Sequence, residues 1–152
     1  MAPPAQATYY SGGFGTGYTV INSYSYNSTW QPAMDYSVNA WNATYTPVDI
    51  HKISGGNAIE AASYSATWYG QYTRYTSSFR IQLNSRVISA NCTIVSNCIS
   101  SVFSHEFGHV FYQADNPPVS STSSVMREDR NRNSSSMRGP KQYDIDEANN
   151  YL

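Results

Sequence analysis

The chain has 152 residues, a mass of 16.9 kDa and a formal charge of −1 from nine Lys+Arg and ten Asp+Glu, the size of one domain built on a single core. Charged residues make up 12% of the chain, about half the usual share, so the surface is expected to be neutral and hydrogen-bonding, made of Tyr, Ser, Asn and Thr. A pI near 6.2 supplies no excess of positive charge for nucleic acid or an anionic membrane. No run approaches the ~20 apolar residues of a bilayer span, so neither partner is expected.

Residues 1–7 lack the basic and apolar regions of a signal peptide and read as a flexible leader in front of a mature sequence, leaving 8–152 as one domain. Gly12, Gly13, Gly15 and Gly17 punctuate a Tyr- and Ser-rich loop that leads to a strand at Tyr18 to Ile21. Trp30, Met34, Val38 and Trp41 recur at spacings of four, four and three, one face of a helix, with Pro32 suited to its first turn. Val48 and Ile50 alternate with Asp49 and His51, and Phe79, Ile81 and Leu83 with Arg80, Gln82 and Asn84, the pattern of half-buried strands. One further strand is expected within residues 58–75. A second helix is predicted over about Ile99 to Phe111 and a third over Tyr143 to Leu152, after Gly139-Pro140 breaks the chain. Residues 112–141 form a long irregular stretch, which in a compact domain is usually functional. Its five basic residues, Arg127, Arg130, Arg132, Arg138 and Lys141, read as a solvated turn region. The mixture predicts an α+β fold.

Cys92 and Cys98 can close a small loop, and with no second Cys pair the preferred reading is one disulfide in an oxidising compartment. That implies a secreted, extracellular chain, expected to be a monomer.

The chemistry centres on Ser104-His105-Glu106-Phe107-Gly108-His109. Within it His-Glu-x-x-His places two imidazoles one helical turn apart on the same face, where both can reach one zinc ion. Phe103, Phe107 and Val110 form an apolar stripe roughly opposite, so the helix can bury the stripe and turn the imidazoles to a cleft. Glu106 lies about 100° around the helix from His105, suited to act as general base on a metal-bound water rather than as a ligand. A catalytic zinc has three protein ligands, and the remaining histidine, His51, stands far upstream. The third ligand is therefore read as a carboxylate. Asp115, six residues after His109, can be offered by a chain that turns back after the helix.

With Asp115 the sequence resembles the metzincin metallopeptidases, whose motif is His-Glu-x-x-His-x-x-Gly-x-x-His/Asp, and among them the snapalysin-like enzymes, where the last position is Asp. The resemblance implies a zincin catalytic domain, a twisted mixed sheet with an active-site helix and a C-terminal helix similar to that of matrixin-like domains. It implies zinc held by His105, His109 and Asp115, Glu106 as general base, and peptide or protein substrates. Ser123-Ser124-Val125-Met126 resembles the Met-turn that places a methionine under the zinc, with Met137 as the alternative. In such enzymes the strand before the active-site helix rims the cleft and pairs with extended substrate, a place that Phe79 to Asn84 would take.

The chain departs from the family where the motif has Gly and it has Tyr112, a position that requires a left-handed turn. A gluzincin-like site completed by Glu128 or Glu147 is the alternative ligand set. From a different class, 14 Tyr and three Trp would suit a non-catalytic surface-binding module. Calcium is conceivable in a secreted peptidase, but no acidic loop of recognisable ligand spacing supports it.

Overall fold

A computed structural model describes residues 8–152, and the leader read over residues 1–7 lies outside the described residues. The order of elements is β1 (Tyr18–Asn22), α1 (Trp30–Asn42), β2 (Asp49–Ile53), β3 (Ala58–Ala62), β4 (Gly70–Arg74), β5 (Phe79–Asn84), α2 (Ser85–Asn91), α3 (Val95–Val110), a 3-10 turn at Ser135–Met137 and α4 (Gln142–Tyr151). The architecture is α+β, with a small mixed sheet and four helices.

β1 pairs with β2 in parallel, β3 with β5 in parallel, and β4 with β5 antiparallel. A parallel bridge between Ile21 and Asn57 carries the sheet across from β1 to the start of β3, giving the run β2-β1-β3-β5-β4. Phe79, Ile81 and Leu83 are buried, and so are the polar Gln82 and Asn84, because β5 has a strand on each side. The expectation that Phe79 to Asn84 rims a cleft is therefore corrected. Among the described residues the open edge of this part of the sheet belongs to β4, which pairs on one side only. Alternation within one strand shows which face is buried, whereas sheet order depends on contacts distant in sequence. The single strand expected within residues 58–75 is two strands.

α3 runs through the middle of the molecule and is buried nearly all round, from Cys98 to Val110 except for half-buried His109. α1 packs along it through small residues that let the backbones approach: Ser37 Oγ donates to the Ser100 carbonyl and Ser100 Oγ to that of Ala33, each at 2.7 Å. Trp41 Nε1 donates to the Ser104 carbonyl at 3.1 Å. These bonds use acceptors the α-helical ladder leaves partly free, so the serines are satisfied although buried. α3 begins four residues earlier than expected, and α2 was not expected. Its seven residues bury only Val87 and Ile88, too few to set a period. The expected disulfide joins Cys92, just past α2, to Cys98 in the first turns of α3, and so closes that corner.

No helix among the described residues is long and apolar enough to cross a membrane.

Candidate metal centre

The two histidines of α3 lie one turn apart with ring centroids 4.9 Å from each other. Each ring is fixed by its far nitrogen: His105 Nδ1 donates to the Val125 carbonyl at 2.9 Å and His109 Nδ1 to the Gln113 carbonyl at 2.8 Å. A carbonyl only accepts, so both Nδ1 atoms carry hydrogen, and in the neutral rings both Nε2 atoms present lone pairs. Those lone pairs converge on one oxygen, Asp115 Oδ1, at 2.9 Å from His105 and 3.1 Å from His109.

Electrostatics sharpen the point. Burial pushes the His105 imidazole down to about 4, against the Asp115 contact, which acts to raise it. Burial also acts to lower His109, but the adjoining Asp115 and Glu106 carboxylates outweigh it and raise that imidazole. Asp115 is opposed by its own burial, yet the two imidazoles hold it well below the usual carboxylate range. Two nitrogen donors and one carboxylate oxygen, all within 4.8 Å of one another, fit a divalent cation, and an N₂O set with ordered outer hydrogen bonds suits zinc. Neither Glu128 nor Glu147 joins this group. Glu128 accepts from Asn116 Nδ2 at 3.2 Å, and Glu147, on α4, accepts from Thr8 Oγ1.

The turn that delivers Asp115 explains how Tyr replaces Gly. After α3, Gln113 N–H bonds the Gly108 carbonyl at 2.9 Å and Tyr112 N–H that of His109 at 3.3 Å, the Schellman arrangement. Tyr112 takes the left-handed conformation this requires, with φ 66°, at a cost of about 1–2 kcal/mol relative to the right-handed form. Residues 8–15 hold it there. Tyr10 N–H and Phe14 N–H donate to the carbonyls of Tyr112 and Val110, each at 2.8 Å. The Tyr112 ring stacks on Tyr9, and its hydroxyl donates to the Gly15 carbonyl at 2.7 Å. Gly13 sits against the Tyr112 ring where any Cβ would collide.

Met126 is fully buried against α3, and its Sδ occupies the space a Cβ on Gly108 would need. Met137 is buried elsewhere, at the 3-10 turn. The Met126 turn is tied to α4 by Asp144, whose carboxylate accepts from Ser124 Oγ at 2.5 Å, Val125 N–H at 2.8 Å and Lys141 N–H at 2.9 Å. Gln113 Nε2 donates to the Asp144 carbonyl at 2.8 Å. The carbonyls that orient both imidazoles therefore belong to residues hydrogen-bonded to Asp144. Nothing in the sequence marked Asp144 or Gln113, since the bonds that tie Asp144 to the Met126 turn and to Gln113 span 19 to 31 residues.

Glu106 is buried, and its Oε2 has no hydrogen-bond partner. Burial pushes its carboxyl up to about 7. Gly70 allows the start of β4 to lie over it, since a Cβ there would stand 3.2 Å from Glu106 Cγ and 2.7 Å from Val102 Cγ1. Together these residues line a cleft of about 540 Å³ whose walls include Tyr10, Tyr69, Tyr72, Arg130 and Arg132. The solvated reading of the basic stretch is corrected here: Arg130 is 4% exposed and faces the cleft, because Ser101 on α3 offers it both a hydroxyl and a carbonyl. His51 stays on β2, paired with Asp49. No family model matches the chain, and no curated protein matches it.

Proposed function

We propose that this chain is a secreted zinc endopeptidase with a metzincin-like active site. The observation that carries the reading is the convergence of two carbonyl-held imidazoles and Asp115 on one point beside a buried, unpartnered carboxyl group. His105, His109 and Asp115 would hold the metal. When bound, zinc supplies Lewis acidity, polarising an amide carbonyl and bringing the pKa of water to about 7.

The chain's own residues do the rest. Glu106, whose carboxyl is raised to about 7, takes a proton from the attacking water and returns it to the leaving amine. Edge strand β4 offers unpaired backbone groups to an extended peptide, which binds as an added strand whatever its side chains. Tyr10 and Tyr72, with ring centroids 5.2 and 6.2 Å from that of His109, keep bulk water from that side of the centre. Met126 is a soft, close-fitting floor under the ligands rather than a ligand itself.

The test is cleavage of an unstructured protein by the zinc-loaded chain, beside a Glu106→Ala chain shown to hold the same zinc. Cleavage that stops in the variant while zinc is retained supports the reading. Equal cleavage by both chains, or none by either across several substrates, refutes it.

A further inference from the structure

The cleft wall carries two guanidinium groups that the protein does not neutralise. Arg130 spends three of its five N–H groups inside the fold: Nε and Nη2 donate to Ser101 Oγ and its carbonyl at 2.7 and 3.2 Å, and Nη1 to the Arg127 carbonyl at 2.9 Å. Arg132 donates none to the other described residues. Its guanidinium lies 4.1 Å over the Tyr69 ring, and its Nε is shut off from solvent without a partner. Among the described residues neither arginine has a carboxylate within ion-pair distance, although Arg127 beside them is paired with Asp129 at 2.9 Å.

Burying a cation without a counter-ion is costly. The three carboxylates that share the cleft are committed or turned elsewhere. Asp115 is engaged by both imidazoles, Glu128 is exposed and held by Asn116, and Glu106 makes no hydrogen bond to either arginine. What remains is a partly desolvated fork of donors, planar and always charged, beside apolar walls from Tyr69 and Val102. A fork of this kind matches a carboxylate, which it can grip with two parallel bonds.

We infer that Arg130 and Arg132 form an anion subsite beside the metal centre, which takes a carboxylate of the bound peptide. Two sources share this chemistry, an Asp or Glu side chain and the peptide's own C-terminus. The subsite deepens the peptidase reading and rests on it for the nature of the ligand. It makes the enzyme selective for acidic substrates, although the chain as a whole is nearly neutral.

The experiment measures binding without cleavage. Zinc-loaded Glu106→Gln chain is titrated against fluorescent, C-terminally amidated heptapeptides in which one Glu is moved through every position. The same set with Gln, and one Glu-free peptide with a free C-terminus, complete the comparison. At one Glu position, or with the free terminus, affinity is expected to exceed that of the neutral counterpart by about tenfold, the scale of a hydrogen-bonded charge. Which peptide gains identifies the source. In Arg132→Met, which keeps the stem on Tyr69, the ratio is expected to fall to within about twofold of one, and in Arg132→Lys, which keeps charge and loses the fork, to an intermediate value. Both variants are checked for unchanged zinc content and near-ultraviolet circular dichroism.

A preference for no carboxylate, binding of no peptide, or a preference that survives in Arg132→Met overturns the subsite. Cleavage by the unmodified chain without acidic preference overturns the subsite and leaves the peptidase reading intact. A carboxylate preference in a chain that never cleaves supports the subsite and removes the peptidase reading.

Discussion

Two regions of this molecule place a histidine against an aspartate at nearly the same distance. On β2, His51 Nε2 stands 2.8 Å from Asp49 Oδ1, with the two side chains 47% and 57% exposed. On α3, His105 and His109 stand 2.9 and 3.1 Å from Asp115 Oδ1, with the imidazoles 11% and 12% exposed. Contact length does not separate them. On β2 the partners are neighbours on one strand face, both exposed to solvent, and His51 Nδ1 makes no hydrogen bond among the described residues. At the cleft two rings are locked by carbonyls and aimed at one carboxylate that comes from beyond a left-handed turn. What sets the candidate metal centre apart from the surface pair is fixed orientation and convergence in a desolvated place.

Breaking the cleft pair should have the largest effect. His105→Ala removes a donor and leaves Val125 O without its partner; zinc affinity is expected to fall by well over about 100-fold, more than loss of an outer-shell contact costs, while His51→Ala leaves zinc content unchanged by elemental analysis. The second test uses the buried carboxyl of Glu106. Because the Glu106 carboxyl is raised in the folded state to about 7, its protonated form stabilises the metal-free chain fully below the unfolded value, near 4.5. That contribution is lost as pH rises toward 7. Urea unfolding of the metal-free protein should therefore show Glu106→Gln gaining on the unmodified chain between about pH 4.5 and 7, by up to about 3 kcal/mol, with no further gain above. A flat difference across that range would contradict the burial argument.

Gly108→Ala presses a methyl group onto Met126 and is expected to cost about 1–3 kcal/mol in thermal or urea unfolding. Asp144→Asn loosens the turn that carries Val125 and should weaken zinc about tenfold, the low end for residues that orient ligands. Smallest of all, His51→Ala should change stability by no more than about 0.5 kcal/mol, as at most exposed sites. A larger loss there would make the β2 pair more than a surface contact.

The comparison also explains what could be read in advance. His105, Glu106 and His109 were legible because helical spacing alone puts them on one side of α3, and Asp115 because it follows so closely. The helix at Trp30 and the strand at Phe79 were legible from period. The identity of the edge strand was not, since β4 gains that place only through the pairing of β3 with β5. Tyr112 looked like an obstacle because the segment that holds its left-handed turn, residues 8–15, lies about a hundred positions away. Arg130 read as solvated since the serine that receives it, Ser101, is indistinguishable in sequence from the many serines around it.

The most direct measurement is a calorimetric titration of zinc into the metal-free chain beside Asp115→Ala. The expected result is one zinc per unmodified chain, and an affinity at least about 100-fold lower in the variant. Equal affinity in the two chains, or no binding by the unmodified one, would contradict a centre built from His105, His109 and Asp115.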